Sequence, residues 1–421
     1  MKVCLINPPD LACEDPKWDE PLGLLYLGAV LEENEVDVEV LDMNFHDGYK
    51  ALENSEADFY GVYCSSTLIR TALNVNSFLK ERHPNAIRAV GGPHATCAPE
   101  DFVEHFDKVI VGEGERAILA AIKDKTRKIL RNLPINDLDT IPYPARHLIP
   151  IKEYHRRVGG RHSTGIITAR GCPHDCAFCS KVWGKTVRFR SPENIIGEVK
   201  ECINRYDIHA FSIRDDTFTL NRKRLLKILE GFKKLDIVWR CLTRVDQVDK
   251  EMVTAMDDAG CVQIVYGLES GNQEILDNLG KGTTVEQNYE AIRLTKEAGI
   301  PAKAAVIVGS PGETWETVQD TVDMIEEIMP DEVILCIFTP YPGSPVWDDP
   351  EAFGMKILTR DVSKYAAVGP DMTGKVVVET EKMSAQDIMD AHGTMLERFR
   401  DLNLIPRARA HLPRPASSSS G

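Results

Sequence analysis

Short apolar runs alternate with amphipathic stretches from the first residues onward. Over residues 1–125, runs at 3–7, 36–41, 59–64, 86–90 and 108–111 read as strands, and helical periodicity over 22–33, 71–82, 99–105 and 116–124 fills the intervals. This alternation of apolar strands and helices predicts a doubly wound parallel sheet of Rossmann or flavodoxin type. The rhythm breaks over 126–160, where Pro134, Pro142, Pro144 and Pro150 punctuate the chain. Proline removes a backbone donor and restricts the residue before it, so this stretch reads as a linker. Alternation returns over 161–345, with strands at 163–168, 210–214, 238–242, 262–267, 302–309 and 332–338 and helices at 192–205, 222–234, 250–259, 285–298 and 314–329. Six β/α units predict a partial (β/α)6 barrel rather than a complete eight-unit one. A short C-terminal region, 346–406, ends in a helix expected over 384–401, and the Pro-, Arg- and Ser-rich tail 407–421 reads as disordered.

A chain of 421 residues, 43% hydrophobic and 27% charged, is long enough for two or three domains with sizeable cores. Its formal charge of −15 argues against nucleic acid or an anionic membrane as a partner. The basic segment 185–190 reads as a solvated loop. No apolar run reaches the ~20 residues of a spanning helix, and Met1-Lys2 leads straight into a strand. A cytoplasmic monomer is the expectation. In that compartment the eleven cysteines are not expected to form disulfides. Eight of them (Cys4, Cys13, Cys64, Cys97, Cys202, Cys241, Cys261 and Cys336) are scattered and are expected to pack as small hydrophobes.

The other three are clustered. Cys172, Cys176 and Cys179 have C-x3-C-x2-C spacing and directly follow the first barrel strand, at the edge where barrel sites form. Thiolates are the usual ligands of iron–sulfur clusters, and three of them leave one iron of a 4Fe–4S cube open. The bacterial ferredoxin spacing does not match. Structural zinc wants four ligands, and His174, the one local candidate, lies inside a tight loop and is expected to point to solvent. Later strand ends carry further polar groups. Asp215 and Asp216 end the second strand, as acceptors for an amine or as a helix N-cap. Arg244 ends the third, either to hold a carboxylate or to pair with a neighbouring Asp. Glu269 and Ser270 end the fourth, and Val308, Gly309 and Glu313 lie at the end of the fifth.

The cysteine spacing, with Phe178 before the last cysteine and Thr168-Ala169-Arg170-Gly171 leading in, resembles the signature of the radical S-adenosylmethionine (SAM) superfamily. The resemblance implies a 4Fe–4S cluster on Cys172, Cys176 and Cys179. It also implies SAM contacts from Phe178, Asp215, Asp216, Arg244, Glu269, Ser270, Val308, Gly309 and Glu313, and a flavodoxin- or ferredoxin-type electron donor.

The first domain presents Asn7-Pro8-Pro9, Ser65-Ser66-Thr67-Leu68, Gly91-Gly92-Pro93-His94 and Gly112-Glu113-Gly114 at its strand ends, the edge where doubly wound sheets bind ligands. With Gly23, these loops resemble the cobalamin domain that precedes many radical SAM barrels, which makes them the expected cobalamin contacts. The D-x-H-x-x-G motif with its cobalt-ligating histidine is absent, and His46 reads as a surface loop residue, so no lower histidine ligand is expected. A degenerate domain without cofactor is the alternative. Taken together, the resemblance implies a cobalamin-dependent radical SAM C-methyltransferase that passes a methyl group from methylcobalamin to an unactivated sp3 carbon. The expected acceptor is a protein or peptide side chain, for example in methyl-coenzyme M reductase. A non-methylating cyclase, rearrangement or epimerisation enzyme, a non-catalytic iron–sulfur sensor and a methylthiotransferase are the rivals. The last needs a second cysteine triplet that the dispersed N-terminal cysteines do not provide.

Overall fold

The computed structural model describes residues 1–11, 13–45, 47–124, 126–368 and 374–405. Two sequence expectations, His46 and the tail 407–421, lie outside the described residues. In the first domain β1 (Lys2–Asn7), β2 (Asp37–Asp42), β3 (Phe59–Tyr63), β4 (Ile87–Gly91), β5 (Lys108–Val111) and β6 (Ile129–Arg131) form one parallel sheet in the order 2-1-3-4-5-6. Alternate residues of each strand serve opposite faces. Val3 and Leu5 pack with Phe59, Ala89, Leu24, Leu31 and Ala117 on one side, while Cys4 and Ile6 pack with Tyr60, Val90, Ala72, Val75 and Phe102 on the other. The strand order reverses between β1 and β3, and ligands of such sheets bind beyond the strand ends at this switch point.

Three local differences from the sequence reading have physical causes. The sixth strand lies within the proline-rich stretch and pairs with β5, Ile110 opposite Leu130. The helix expected over 99–105 is replaced by the helix Pro93–Cys97 and a 3-10 turn, Pro99–Asp101. Gly92, at φ +112°, turns the chain directly out of β4, and Pro93 then takes the first helical position. A Cβ on Gly92 would meet the Cys64 carbonyl at 2.8 Å. Of the scattered cysteines, Cys13 is exposed and Cys97 and Cys336 are half-buried, so core packing describes only the other five.

The second domain has β7 (Arg161–Ile166), β8 (Ala210–Ile213), β9 (Val238–Thr243), β10 (Cys261–Glu269), β11 (Ala302–Val308) and β12 (Glu332–Ile337), parallel and in sequence order. A two-residue strand, Arg157–Val158, pairs antiparallel with β7. The covering helices start where polar caps allow. Ser191, Asn221, Asp249, Thr284 and Thr314 each accept a backbone N–H at a helix N-terminus. The far edge of the sheet is covered by the C-terminal region, which contains a hairpin of Met355–Ile357 and Val378–Thr380 besides the helix Ala385–Asp401. Across that edge the Val333 N–H donates to Leu404 O, and the Ile337 N–H to Ala367 O, both at 2.9 Å.

The stretch between the two sheets is packed rather than free. Ala145 N–H donates to Leu25 O at 3.0 Å, Tyr154 Oη to Asp42 Oδ2 at 2.7 Å, and the buried Arg146 pairs with Glu198 at 2.7 Å. These contacts bring the C-terminal edges of both sheets together around one cavity.

Candidate functional site

The cysteine loop is fixed from below. Gly171, at φ +95°, leads into it, and a Cβ there would lie 2.5 Å from Thr186 O. The Ala177 N–H donates to Leu279 O at 2.8 Å, and the Val346 N–H donates to Ala177 O at 3.2 Å. Cys172, Cys176 and Cys179 are free thiols. Burial pushes the Cys176 thiol up, and burial, with the nearby Asp216 carboxylate, pushes Cys179 up to about 12. Among the described residues no three His, Cys, Asp or Glu side chains converge closely enough to hold a single metal ion. A mononuclear zinc needs that convergence. Three thiolates on one loop, Cys176 buried and Cys172 and Cys179 half-buried, are the donor set of a cluster, whose irons each take one.

The acidic residues at the barrel strand ends divide into two kinds. Asp215 is buried and spends its carboxylate on the lead-in to the cysteine loop, accepting from Thr168 N at 2.6 Å, from Ala169 N at 3.1 Å and from Thr168 Oγ1. It braces the loop rather than facing a ligand. Asp216 is exposed, and among the described residues nothing hydrogen-bonds its carboxylate. Arg244 pairs with Asp246 at 2.9 Å and donates to Lys281 O at 2.7 Å, which is the ion-pair alternative of the two read from the sequence. Glu269 holds φ +64°, unusual for a residue with a side chain, where the pairing register with β11 shifts. Its carboxylate pairs with Lys281 at 2.6 Å, and both are buried. Ser270 is buried against Thr321 Oγ1 at 3.1 Å. Phe178 is half-buried, and Lys281 Nζ lies 5.9 Å from its ring centroid. Lys281 escaped the sequence reading; its only signal was a lysine between two glycines, and both Gly280 and Gly282 have positive φ.

Val308 is buried, and Gly309, at φ +87°, begins the turn that Glu313 closes. Glu313 accepts from Ser310 N at 3.1 Å and from Gly309 N, and burial raises its pKa to about 7. A carboxyl raised from its ordinary 4.5 favours the folded state when protonated. Its stabilising contribution is complete below about pH 4.5 and is lost as pH rises through 7, about 3 kcal/mol in all. In Glu313→Gln one amide oxygen can accept both N–H groups. The variant is expected to show a flatter pH dependence of its urea midpoint across this window and to be more stable than the parent at pH 8. A midpoint that changes with pH as it does in the parent would show that another group titrates.

At the switch point lies a cavity of about 450 Å³. Asn7, Pro8, Gly23, Ser65 and Leu68 line it from the first domain, and Ile167 and Arg214 from the barrel. Gly23 has open space where a side chain would stand, which suits a cradle for a large flat group such as cobalamin. Ser66, Thr67 and Pro93 share a smaller cavity of about 210 Å³ with Ser180 and Tyr341. Other loop residues expected to face a ligand are used internally. His94 is buried, with Nδ1 2.9 Å from Ser66 Oγ and Nε2 2.9 Å from Asp101. Gly112 N–H donates to Thr96 Oγ1 at 3.1 Å, Gly91 packs on Ile110 and Gly114 on Leu27. Pro9 lines neither cavity. Glu113 accepts from Ile135 N at 3.0 Å and pairs with Arg170, at 3.2 Å, and with Arg188. Glu115 pairs with the same Arg170. The Gly-Glu-Gly-Glu loop therefore clamps the barrel's lead-in to the cysteines. Carboxylates this buried need cationic partners, and Arg170 reaches Glu115 and Glu113 from 55 and 57 residues away in the chain.

Comparison with known proteins agrees with this geometry. The chain matches the radical SAM superfamily over residues 166–325 and the B12 binding domain over 19–122. It is 30% identical to "Uncharacterized methyltransferase PH0819" of Pyrococcus horikoshii over 94% of this chain and 97% of that one. It is 27% identical to the anaerobic magnesium-protoporphyrin IX monomethyl ester cyclase of Rubrivivax gelatinosus, over 91% of this chain and 73% of that one. Among solved structures, the radical SAM methyltransferase TsrM of Kitasatospora setae, with cobalamin and a [4Fe-4S] cluster bound, shares the fold at a TM-score of 0.75 and 16% identity, over 100% of this chain and 93% of that one.

Proposed function

Since the chain belongs to the cobalamin-dependent radical SAM family and is an enzyme of its methyltransferase kind, we propose that it methylates an unactivated sp3 carbon of an acceptor held between its two domains. The observation that carries this reading is the meeting of two strand-end edges at one cavity, Asn7 and Ser65 on one side and Ile167 and Arg214 on the other. When bound, the cluster supplies the electron that cleaves SAM and cobalamin supplies the methyl group to be transferred. Cys172, Cys176 and Cys179 hold the cluster, with Asp215 and Arg170 fixing the loop that carries them. Asp216, the Val308–Gly309 backbone and the Lys281–Glu269 pair border the SAM side. Asn7, Pro8, Gly23, Ser65 and Leu68 border the cobalamin side. The electron donor is of flavodoxin or ferredoxin type.

The first-domain wall of this cavity borders the cobalamin side, so its barrel wall, Ile167 and Arg214, is left to meet the acceptor, a free metabolite or a side chain delivered by a protein. Among the described residues no helix is long and apolar enough to cross a membrane. The similarity to the Rubrivivax gelatinosus cyclase favours a second reading, radical chemistry without methyl transfer.

Anaerobic protein loaded with iron, sulfide and hydroxocobalamin, then given strong reductant and SAM, separates these readings. Methyl transfer is expected to yield both 5′-deoxyadenosine and S-adenosylhomocysteine. Deoxyadenosine alone, from protein that has bound cobalamin, would favour the cyclase-type reading. Neither product, from fully loaded protein, would leave activity gated by the acceptor or a non-catalytic iron–sulfur role.

A further inference from the structure

We infer that the inner face of the partial barrel binds an oxyanion, the carboxylate or phosphate group of the acceptor, between Arg156, Arg214 and Arg240. The inference rests on the methyltransferase reading above and adds the class of its acceptor. In β9 the ring of Trp239 packs on Phe232 of the helix Arg222–Phe232, with centroids 5.8 Å apart, so odd-numbered residues face the helices. Arg240 and Leu242 therefore face inward, and Leu242 is 41% exposed there, so the inner face is open. Arg240 lies opposite Ser212 of β8 and Gln263 of β10, and Ser212 lies opposite Gly165 of β7. Gly165 leaves room for its neighbours, and Arg214 Nε is 3.2 Å from the point where a Cβ would stand.

The charges on this face do not balance. Asp19, reaching over from the first domain, pairs with both Arg156 (Nη2 at 2.7 Å) and Arg214. The other carboxylate nearby, Glu20, spends Oε1 on Thr164 and Gly165 N, at 2.7 and 2.5 Å, and leaves Oε2 buried without a partner. Three guanidiniums thus face two carboxylates, and Arg240 has no hydrogen-bond or ion-pair partner among the described residues. Burial and the nearby Arg156 and Arg214 lower the pKa of Arg240 from the usual arginine value. Withdrawing an unpaired guanidinium from water beside two like charges costs stability, and a bound anion would offset that cost. Planar guanidiniums match carboxylate and phosphate in bidentate geometry. Of the three arginines, Arg214 lines the cavity of about 450 Å³, together with Trp18, Asp19 and Ile167 and with none of the three clustered cysteines. This separates it from the SAM side, where Arg244 and Lys281 sit.

Phenylglyoxal labelling of the full-length protein without cofactors, mapped by peptide mass, tests the assignment. Arg240 is expected to be modified and to be protected several-fold by succinate or by inorganic phosphate, relative to sodium chloride at equal ionic strength. The better protector distinguishes a carboxylate from a phosphate acceptor. Equal protection by chloride would overturn the site. Protection by SAM, with none from succinate or phosphate, would assign the charge to the cofactor's own carboxylate and overturn the acceptor assignment. Arg240→Gln, which removes a crowded charge, is expected to raise the thermal midpoint; a fall would mark the side chain as structural. Because labelling needs neither cluster nor cobalamin, its failure leaves the product assay untouched, and failure of that assay leaves the labelling untouched.

Discussion

Cys176→Ala is expected to abolish 5′-deoxyadenosine formation while leaving cobalamin binding and S-adenosylhomocysteine formation in place. The loop's shape does not depend on the sulfur. It is set by Ala177 N–H on Leu279 O, by Val346 N–H on Ala177 O and by the turn at Gly171, none of which involves the Cys176 side chain. Alanine removes one small buried atom, so the fold should survive at a cost of about 1 kcal/mol. Cluster binding should not survive, because a cube held by three thiolates has no spare protein ligand. The variant should carry iron and sulfide far below the parent's content, lose the cluster's electron paramagnetic resonance signal and keep the absorption spectrum of bound cobalamin. Undiminished deoxyadenosine would mean that the triplet is not the cluster site. Loss of cobalamin as well would mean that the loop supports the domain interface rather than one cofactor.

Much of the architecture was legible because burial writes itself into short apolar strands. Val3, Leu5, Cys4 and Ile6 serve both faces of one sheet and admit no polar alternation, and the helices of the barrel begin at polar caps such as Ser191 and Thr284. What stayed hidden was short or distant. Ile129–Arg131 has three residues with only Leu130 buried, too little pattern to mark a strand. The cysteine triplet was legible because its ligands are local. Asp215 and Glu113 carry the residue types of ligand contacts, yet their oxygens go to Thr168 and Ala169, and to Ile135, Arg170 and Arg188. A buried carboxylate must find donors, and which ones it finds depends on packing between distant segments, within the barrel for Asp215 and across the two domains for Glu113, which no local pattern encodes. The arginine face is hidden for the same reason, since Asp19 lies 137 residues from Arg156 and 195 from Arg214.

Arg170→Met is expected to destabilise the domain interface by roughly 3–5 kcal/mol, the cost of leaving a buried carboxylate without its cation. Glu113 retains Arg188 and the Ile135 N–H, so the loss falls on Glu115, 6% exposed, whose Oε2 is already without a partner. Arg170 also stacks on Trp183, with the guanidinium 4.5 Å from the ring centroid, so its removal loosens the segment after Cys179 as well as the one before Cys172. Methionine keeps most of the packing volume, which isolates the charge. If the stranded carboxylate carries the cost, adding Glu115→Gln to Arg170→Met should recover a good part of it, because the coupling between paired groups appears as non-additivity. Urea midpoints of the four proteins in this cycle measure that coupling, and iron content after loading reports the loop. A midpoint for Arg170→Met equal to the parent's would show that Glu115 is not left as a stranded buried charge. Recovery of stability in the double variant without recovery of iron would assign to Arg170 the posture of the cysteine loop, and to Glu115 only the neutralisation of that arginine.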